Sequence, residues 1–339
     1  MNIAQSHNLA FQKTIIGLFA ALFFVSIAGC NINVGRSVGS GGGGSSGTES
    51  GGGSTGDQQG GSVPTGNFLQ TGYIKTGTQN INGTEYDLVT FGNFPQSEKD
   101  SNVTVSTTAT NVNGFTCYKG DDDEWYVNLD SKYYKVEPIK WRVLTTNYDH
   151  DGNASTPGKK LLLAENILIN KAYDDNSNSY SDSTIRNYLT GDFLTTAFTQ
   201  AEQAAIAATT VINNARSTNP DSNDKQWNNG ANPYASDTPT SDKIFLLSEQ
   251  EVTKADYGFA AYNVYDTGNT IIRMTTAFAK ANGAYQHSTE SSRGYWWLRS
   301  PYCNGGSFVA RSVHHSGNAD RADNVYVNFI GVVPALCLK

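Results

Sequence analysis

Residues 31–66 of this 339-residue chain offer almost nothing that a fold could bury. The core of the tract reads GSGGGGSSGTESGGGSTGDQQGG. A Gly/Ser composition of this kind behaves as a random coil, and 36 such residues have a root-mean-square span of about 30–36 Å. Folding is therefore confined to residues 67–339, which are enough for one large domain with a substantial core. The tract also produces two false motifs. Gly43 to Gly47 fit the G-x-S-x-G serine elbow and Gly42 to Gly47 fit G-x-G-x-x-G. Both motifs work only between a strand and a helix, and this tract supplies neither.

Ahead of the tract, an apolar run over 15–28 follows the single cation Lys13 and ends in Ile27-Ala28-Gly29-Cys30. It is shorter than the roughly 20 residues of a spanning helix and has the length of a signal-peptide core. A cysteine after small residues is the lipobox pattern. The reading is a lipoprotein signal peptide over 1–29, lipid attachment at Cys30, a tether over 30–66 and a folded domain over 67–339. An uncleaved anchor, or a cysteine placed there by chance, is the alternative. The implied partner at this end is a membrane, reached through the lipid. A net charge of −7 argues against a nucleic-acid groove, which needs a basic face. Cys117, Cys303 and Cys337 are odd in number and widely spaced, so at most one bridge forms and the sequence does not choose it.

The folded region opens on strand-like runs: YDLVTFGNF, EWYVNL, YYKVEPIKWRVL and KKLLLAENIL. Two T/S-x-x-E patterns, Thr199 with Glu202 and Ser248 with Glu251, mark helix starts. A third helix is expected over RMTTAFAKAN, stopping at Gly283. The Asn/Asp/Ser/Pro-rich stretch over 213–242 reads as a long surface loop or an insertion. Strands are expected again over 295–298, about 308–313 and about 324–333. The fold class is α+β with long irregular loops and insertions.

Chemistry is harder to find. HExxH is absent, and no Cys/His pairing suits a nucleophile. His7 leaves with the signal peptide. The DHDGN run at 149–153 has its glycine fourth rather than sixth, and Lys160 stands where a calcium loop needs a bidentate Glu. Asp121-Asp122-Asp123-Glu124 reads as a solvated turn. His314-His315, with Asp320 and Asp323, is the sharpest metal candidate, but neighbours on a strand face opposite ways. No metal and no cofactor is expected, and the chain is not expected to be an enzyme. Of Trp296 and Trp297, at least one belongs to the core by the same alternation.

The segment 302–330 has an unusual composition. Its 29 residues contain no Lys, Glu, Gln, Met or Trp, although these make up 44 of the 339, so about four would be expected. Randomising the two adenines of an Asn codon, AAC or AAT, yields Asn, Asp, His, Tyr, Ser, Gly, Cys, Arg, Val or Phe, among others. It never yields the five missing types. An Asn/Gly-rich surface loop of low complexity is the plainer alternative.

The border sequences GYWWLRSP and GVVPALCLK, with FGNFPQSE, PIKWRVL, LLLAENIL, STIRNYLTGDFLTTAFTQAEQAAI and DKIFLLSEQEV upstream, resemble the Treponema variable protein family. These are lipoproteins that serve as targets of a diversity-generating retroelement. The resemblance spans the chain from about Phe91 to the end. It implies a C-type lectin-like fold of the formylglycine-generating-enzyme type, with variation focused on 295–339, and a domain displayed on the cell surface from the outer membrane. No EPN or QPD sugar-binding tripeptide occurs, and no cysteine pair suits a formylglycine-generating centre. The expected partner is an unidentified protein or glycan, bound non-covalently by a monomer.

A face that tolerates substitution must contribute little to its own fold, because most core changes are costly. Trp296, Trp297, Leu298, Val332, Val333 and Leu336 are therefore expected inside, with Pro301 and Pro334 fixing turns. The candidate ligand contacts are Tyr302, Cys303, Asn304, Gly305, Gly306, Ser307, Ser312, His314, His315, Asn318, Asp320, Asp323, Tyr326, Asn328 and Phe329, converging on one solvent-facing patch. In NVYVNF, Val325 and Val327 face in and Tyr326 and Asn328 out if the run is a strand. Phe329 breaks the parity and is either core or display. Arg311 and Arg321 are open between ligand contact and scaffold pairing. A fixed-specificity, calcium-independent carbohydrate module is the runner-up.

Overall fold

β-Branched and aromatic residues fill the first half of the folded region, and they pair into a large sheet. The computed structural model describes residues 72–148, 159–213, 234, 236–260, 270–289, 292–303, 306–319 and 321–339, all in the unit Ser62–Lys339. Cys30, the tether, the 149–153 run, most of the 213–242 stretch, and Asn304, Gly305 and Asp320 lie outside the described residues.

In chain order the strands begin with β1 (Ile74–Ile81), β2 (Thr84–Glu98), β3 (Val105–Val112), β4 (Phe115–Gly120), β5 (Trp125–Leu129) and β6 (Lys132–Thr145). Next come β7 (Lys160–Ala164), β8 (Asn166–Ile167), β9 (Ile169–Asn170), α1 (Thr184–Tyr188), α2 (Leu194–Ala197) and α3 (Gln200–Ala205). Then follow β10 (Thr209–Asn213), β11 (Ser236–Asp242), β12 (Ile244–Phe245), β13 (Met274–Thr275) and α4 (Ala277–Ala281). The chain ends with β14 (Trp296–Pro301), β15 (Val309–Val313), β16 (Arg321–Asn324), β17 (Gly331–Val332) and β18 (Ala335–Leu338). This is a mixed α+β fold in which strands dominate and helices are few, with a π-helical turn, Leu189–Phe193, joining α1 to α2.

β6 is the hub of a nine-stranded sheet. Its first residues pair with β5, its centre with β2 and its end with β7. β18 joins the same sheet between β7 and β12, so the carboxyl terminus is stitched into the main core. A five-stranded sheet, β16-β15-β14-β17-β9, carries the unusual segment. Here β14 runs antiparallel to β15 and parallel to β17, while β16 forms one edge.

Trp296, Trp297, Leu298, Val332, Val333 and Leu336 are all fully buried, as their apolar runs imply. Both tryptophans are core, because each indole N–H finds a carbonyl inside. Trp296 Nε1 donates to Ile271 O at 3.3 Å and Trp297 Nε1 to Lys171 O at 2.9 Å.

Four local expectations change and one holds. The Thr199–Glu202 capping box forms as read and opens α3. Ser248 and Glu251 also exchange the two capping hydrogen bonds, but only a single 3₁₀ turn, Glu251–Thr253, follows, because Lys254 leaves helical dihedrals. The third helix is shorter than expected. Met274 and Thr275 pair with β8, and Thr276 caps α4 by accepting from Ala279 N. Pro301 lies within β14 opposite Ala310 rather than at a turn. Of the expected strand over 324–333, Asn324 ends β16 and Gly331–Val332 form β17, while 325–330 is a loop between them, pinned by fully buried Val325 and Ile330.

Candidate ligand-binding face

The loop at the start of β15 is built by a residue from far upstream. Asn178, buried at 2 %, donates through Nδ2 to Gly306 O at 3.1 Å and Val309 O at 2.8 Å. Its own N–H donates to Ser307 O at 2.6 Å. Gly306 sits at φ +79°, and an added Cβ would meet the Phe308 ring at 3.0 Å. Gly306 is thus held by its backbone, and a side chain there would be strained. Replacing Asn178 with alanine takes this donor from the Gly306 carbonyl and leaves the Val309 carbonyl with the Tyr302 N–H alone. A loss of about 1–3 kcal/mol is expected in urea unfolding, with faster amide exchange at the start of β15.

Around this loop stand Tyr302 and Cys303, both half-buried, and exposed Ser307. Phe308 and Tyr326 are 48 % and 58 % exposed, two of only four large hydrophobics left so open among the described residues. Their neighbours tie them together, since Val325 N donates to Phe308 O at 2.9 Å. Phe308 escaped the sequence reading because it opens an apolar run and looks like packed strand.

A second group lies at the other end of β15, about 15 Å away by strand rise. Beyond Val313, His314 N donates to Asn318 O at 2.7 Å and Gly317 N to His314 O at 2.9 Å, closing a tight turn. Gly317 takes φ +87°, which this turn requires. The rings of His314 and His315 stand 4.0 Å apart. His287 lies 4.1 Å from His315 as well. Because the pair sits past the strand end, the opposite-faces rule does not apply to it. Among the described residues no three His, Cys, Asp or Glu side chains are arranged to hold a metal.

Tyr285 and Tyr295 extend the stack, 4.1 Å apart and inclined by 18°. Burial, with a hydrogen bond that the Tyr295 hydroxyl donates to Tyr285, pushes the Tyr295 phenol up to about 12, so it stays neutral. Tyr285, Tyr295 and His287 precede the unusual segment or border it, and composition gave no reason to single them out as contacts. Phe329 is half-buried and packs against the core, while Asn328 is exposed. The candidates therefore form two groups at the ends of one strand rather than a single patch.

The middle of that strand is scaffold. Ser312 was expected to face solvent, yet it is fully buried and donates from Oγ to Asp323 at 2.5 Å. It lies on β15, paired between β14 and β16, and all five residues of that strand are buried. Asp323 in turn receives Arg321 through Nε at 2.8 Å and a terminal guanidinium nitrogen at 2.6 Å, a bidentate pair. Arg311 is 3 % exposed and pairs with the Glu249 carboxylate at 3.1 Å, with its guanidinium 4.5 Å from the Tyr302 ring. Both arginines are engaged internally. None of Cys117, Cys303 and Cys337 forms a disulfide, and burial pushes the Cys117 and Cys337 thiols up to about 12.

These features define an α+β domain whose well-packed terminal strands frame an open, aromatic-bearing surface. Residues 157–339 match the DUF6273 family, described as a domain of unknown function, and the chain belongs to that family. No curated protein and no solved structure matches it.

Proposed function

We propose that this protein is a surface-displayed lipoprotein whose carboxyl-terminal segment binds a ligand non-covalently, without catalysis, on a C-type lectin-like scaffold diversified by a retroelement. The observation that carries this reading is a contrast within 45 residues. Phe308 and Tyr326 stand 48 % and 58 % exposed, while Trp296, Trp297, Leu298, Val332 and Val333 around them are fully buried. Large exposed aromatics on a rigid frame supply contact area at low entropic cost, and the Ser, Asn and Gly positions between them supply adaptable hydrogen bonding. The acidic chain, with a Gly/Ser tether behind a lipobox cysteine, supports display away from a membrane.

The test is the nucleotide sequence of the 302–330 codons in many cells of one culture, beside any near-copy elsewhere in the genome. Differences confined to adenines of the copy, at codons such as Tyr302, His314 and Tyr326, are expected. A uniform segment without a near-copy would overturn the diversified reading.

The stacked Tyr285–Tyr295 pair, with His315 inclined by 30° to Tyr285, favours a second reading, a calcium-independent glycan-binding module of fixed specificity. Binding to one member of a glycan series, unchanged by a calcium chelator, would support it.

A further inference from the structure

Four lysines gather around the end of α3. Lys339 Nζ donates to Ala204 O at 2.6 Å, Lys243 Nζ to Gln203 O at 2.6 Å and Lys159 Nζ to Ala208 O at 3.2 Å. Lys160 stands opposite Leu338 in the β7–β18 pairing, with its ammonium 4.9 Å from the Tyr73 ring. Lysines near a helix end often hydrogen-bond its last carbonyls, and that accounts for where three of them sit. It does not account for their charge. Carbonyls and aromatic rings are neutral, and among the described residues no carboxylate forms an ion pair with any of the four.

The acids closest in the chain and the fold are engaged elsewhere. Asp242, beside Lys243, holds Arg186 at 2.6 Å, and Asp87 on β2 holds Lys75 at 2.6 Å. Glu202 is 3 % exposed, and its oxygens accept the N–H groups of Gly72 at 3.1 Å, Gly92 at 3.4 Å and Thr199 at 2.8 Å. Setting Glu202 and a terminal carboxylate on Lys339 against the four ammonium groups still leaves this face positive, on a chain whose net charge is −7.

A cavity of about 450 Å³ opens at the same place, lined by the apolar groups of Tyr73, Phe91, Ala201, Ala205 and Leu338. Lys160 and Lys339 belong to its wall. So does Gly72, where the described chain begins and from which residues 31–71 lead back to Cys30. Ammonium groups around an apolar recess match an anionic lipid surface, whose phosphates pair with the cations while its acyl carbons meet the recess.

We infer that this face docks the folded domain on the anionic lipids of the membrane that carries the anchor. The inference rests on the lipid attachment read at Cys30. The tether sets how far the domain can stand from that membrane, but a random coil leaves every orientation open. The lysine face sets which way the domain points when it settles.

Sedimentation with lipid vesicles tests it, on the chain from Asn31 onward, which keeps the tether and the folded unit but neither the apolar run nor Cys30. Binding is expected to mixed phosphatidylglycerol and phosphatidylcholine vesicles and not to phosphatidylcholine alone, although the chain as a whole is acidic. Lys160→Gln combined with Lys339→Gln is expected to lower the partition coefficient about 25-fold, about fivefold for each lysine. Lys140→Gln combined with Lys280→Gln removes the same charge from two exposed lysines on β6 and α4, and is expected to leave it within about twofold. Urea midpoints equal to that of the wild type check that both variants fold. Equal binding to the two kinds of vesicle, or binding to neither, would overturn the docking face. So would equal losses in the two double variants, which would assign the attraction to overall charge. Incorporation of labelled palmitate at Cys30 of the full chain in cells tests the anchor itself, so the face and the anchor fail separately.

Discussion

Trp297→Ala is expected to lower stability by about 3–5 kcal/mol, while Tyr326→Ala, in the same segment, is expected to stay within about 0.5 kcal/mol of the wild type. Trp297 is fully buried. Its ring meets Tyr173 edge-on at 5.6 Å, and its indole N–H satisfies the Lys171 carbonyl inside the protein. Truncation removes one of the two largest side chains of the frame, opens a cavity and leaves that carbonyl without its donor. Tyr326 projects from a loop and is 58 % exposed, so its removal leaves no void. Urea unfolding measures both, through the midpoint at constant slope. Similar losses in the two variants would mean that the segment is uniformly structural, and a freely substitutable face would have no physical basis.

The division between frame and face was legible at the borders because the apolar runs there are short and continuous. WWL and GVVPAL leave room for little but buried strand, and burial followed the run whichever sheet it joined. The main sheet was similarly legible in YYKVEPIKWRVL and KKLLLA, since β-branched and aromatic runs between polar breaks have few alternatives. Inside the segment the same logic weakened. NVYVNF alternates in burial as a strand would, with Val325 in and Tyr326 out, yet it is a loop. Local pattern recorded which side chains face inward, but not whether the backbone finds a partner.

Ser312 and Asn178 show a different limit. Ser312 looks like any small polar residue of the segment, and only the structure reveals that β15 is paired on both sides and buried throughout. Asn178 sits in the polar run DDNSNSYSD, with nothing local to mark it as the support of a loop 128 residues later. The His287–His315 contact likewise joins residues 28 positions apart in sequence, so no spacing rule predicts it. Composition identified a region with solvent-facing positions, and only topology separated those that reach solvent from those that hold the strand.

The frame is also held by charge, and here acid is expected to act on the fold itself. Arg299, two residues beyond Trp297 in β14, donates to the Glu251 carboxylate at 2.5 Å, with side-chain exposures of 1 % and 5 %. The same guanidinium satisfies the carbonyls of Ile212 and Leu246, and Glu251 also receives the Tyr148 hydroxyl and the Ser248 N–H. Glu251→Ala leaves a buried cation without its counter-charge, and a loss of about 3–5 kcal/mol at neutral pH follows. Burial by itself would raise the Glu251 carboxyl, but the charge of Arg299 and these hydrogen bonds outweigh it and hold the group below its ordinary 4.5. A carboxyl whose folded value is depressed stabilises fully above its unfolded value. That stability is lost as the pH falls through the folded one. The gap between wild type and Glu251→Ala in urea unfolding is therefore expected to be widest near pH 7 and to narrow toward pH 3. A gap that stays constant from pH 7 to pH 3 would assign the loss to the missing side-chain volume alone. The ion pair would then have no part in fixing β14.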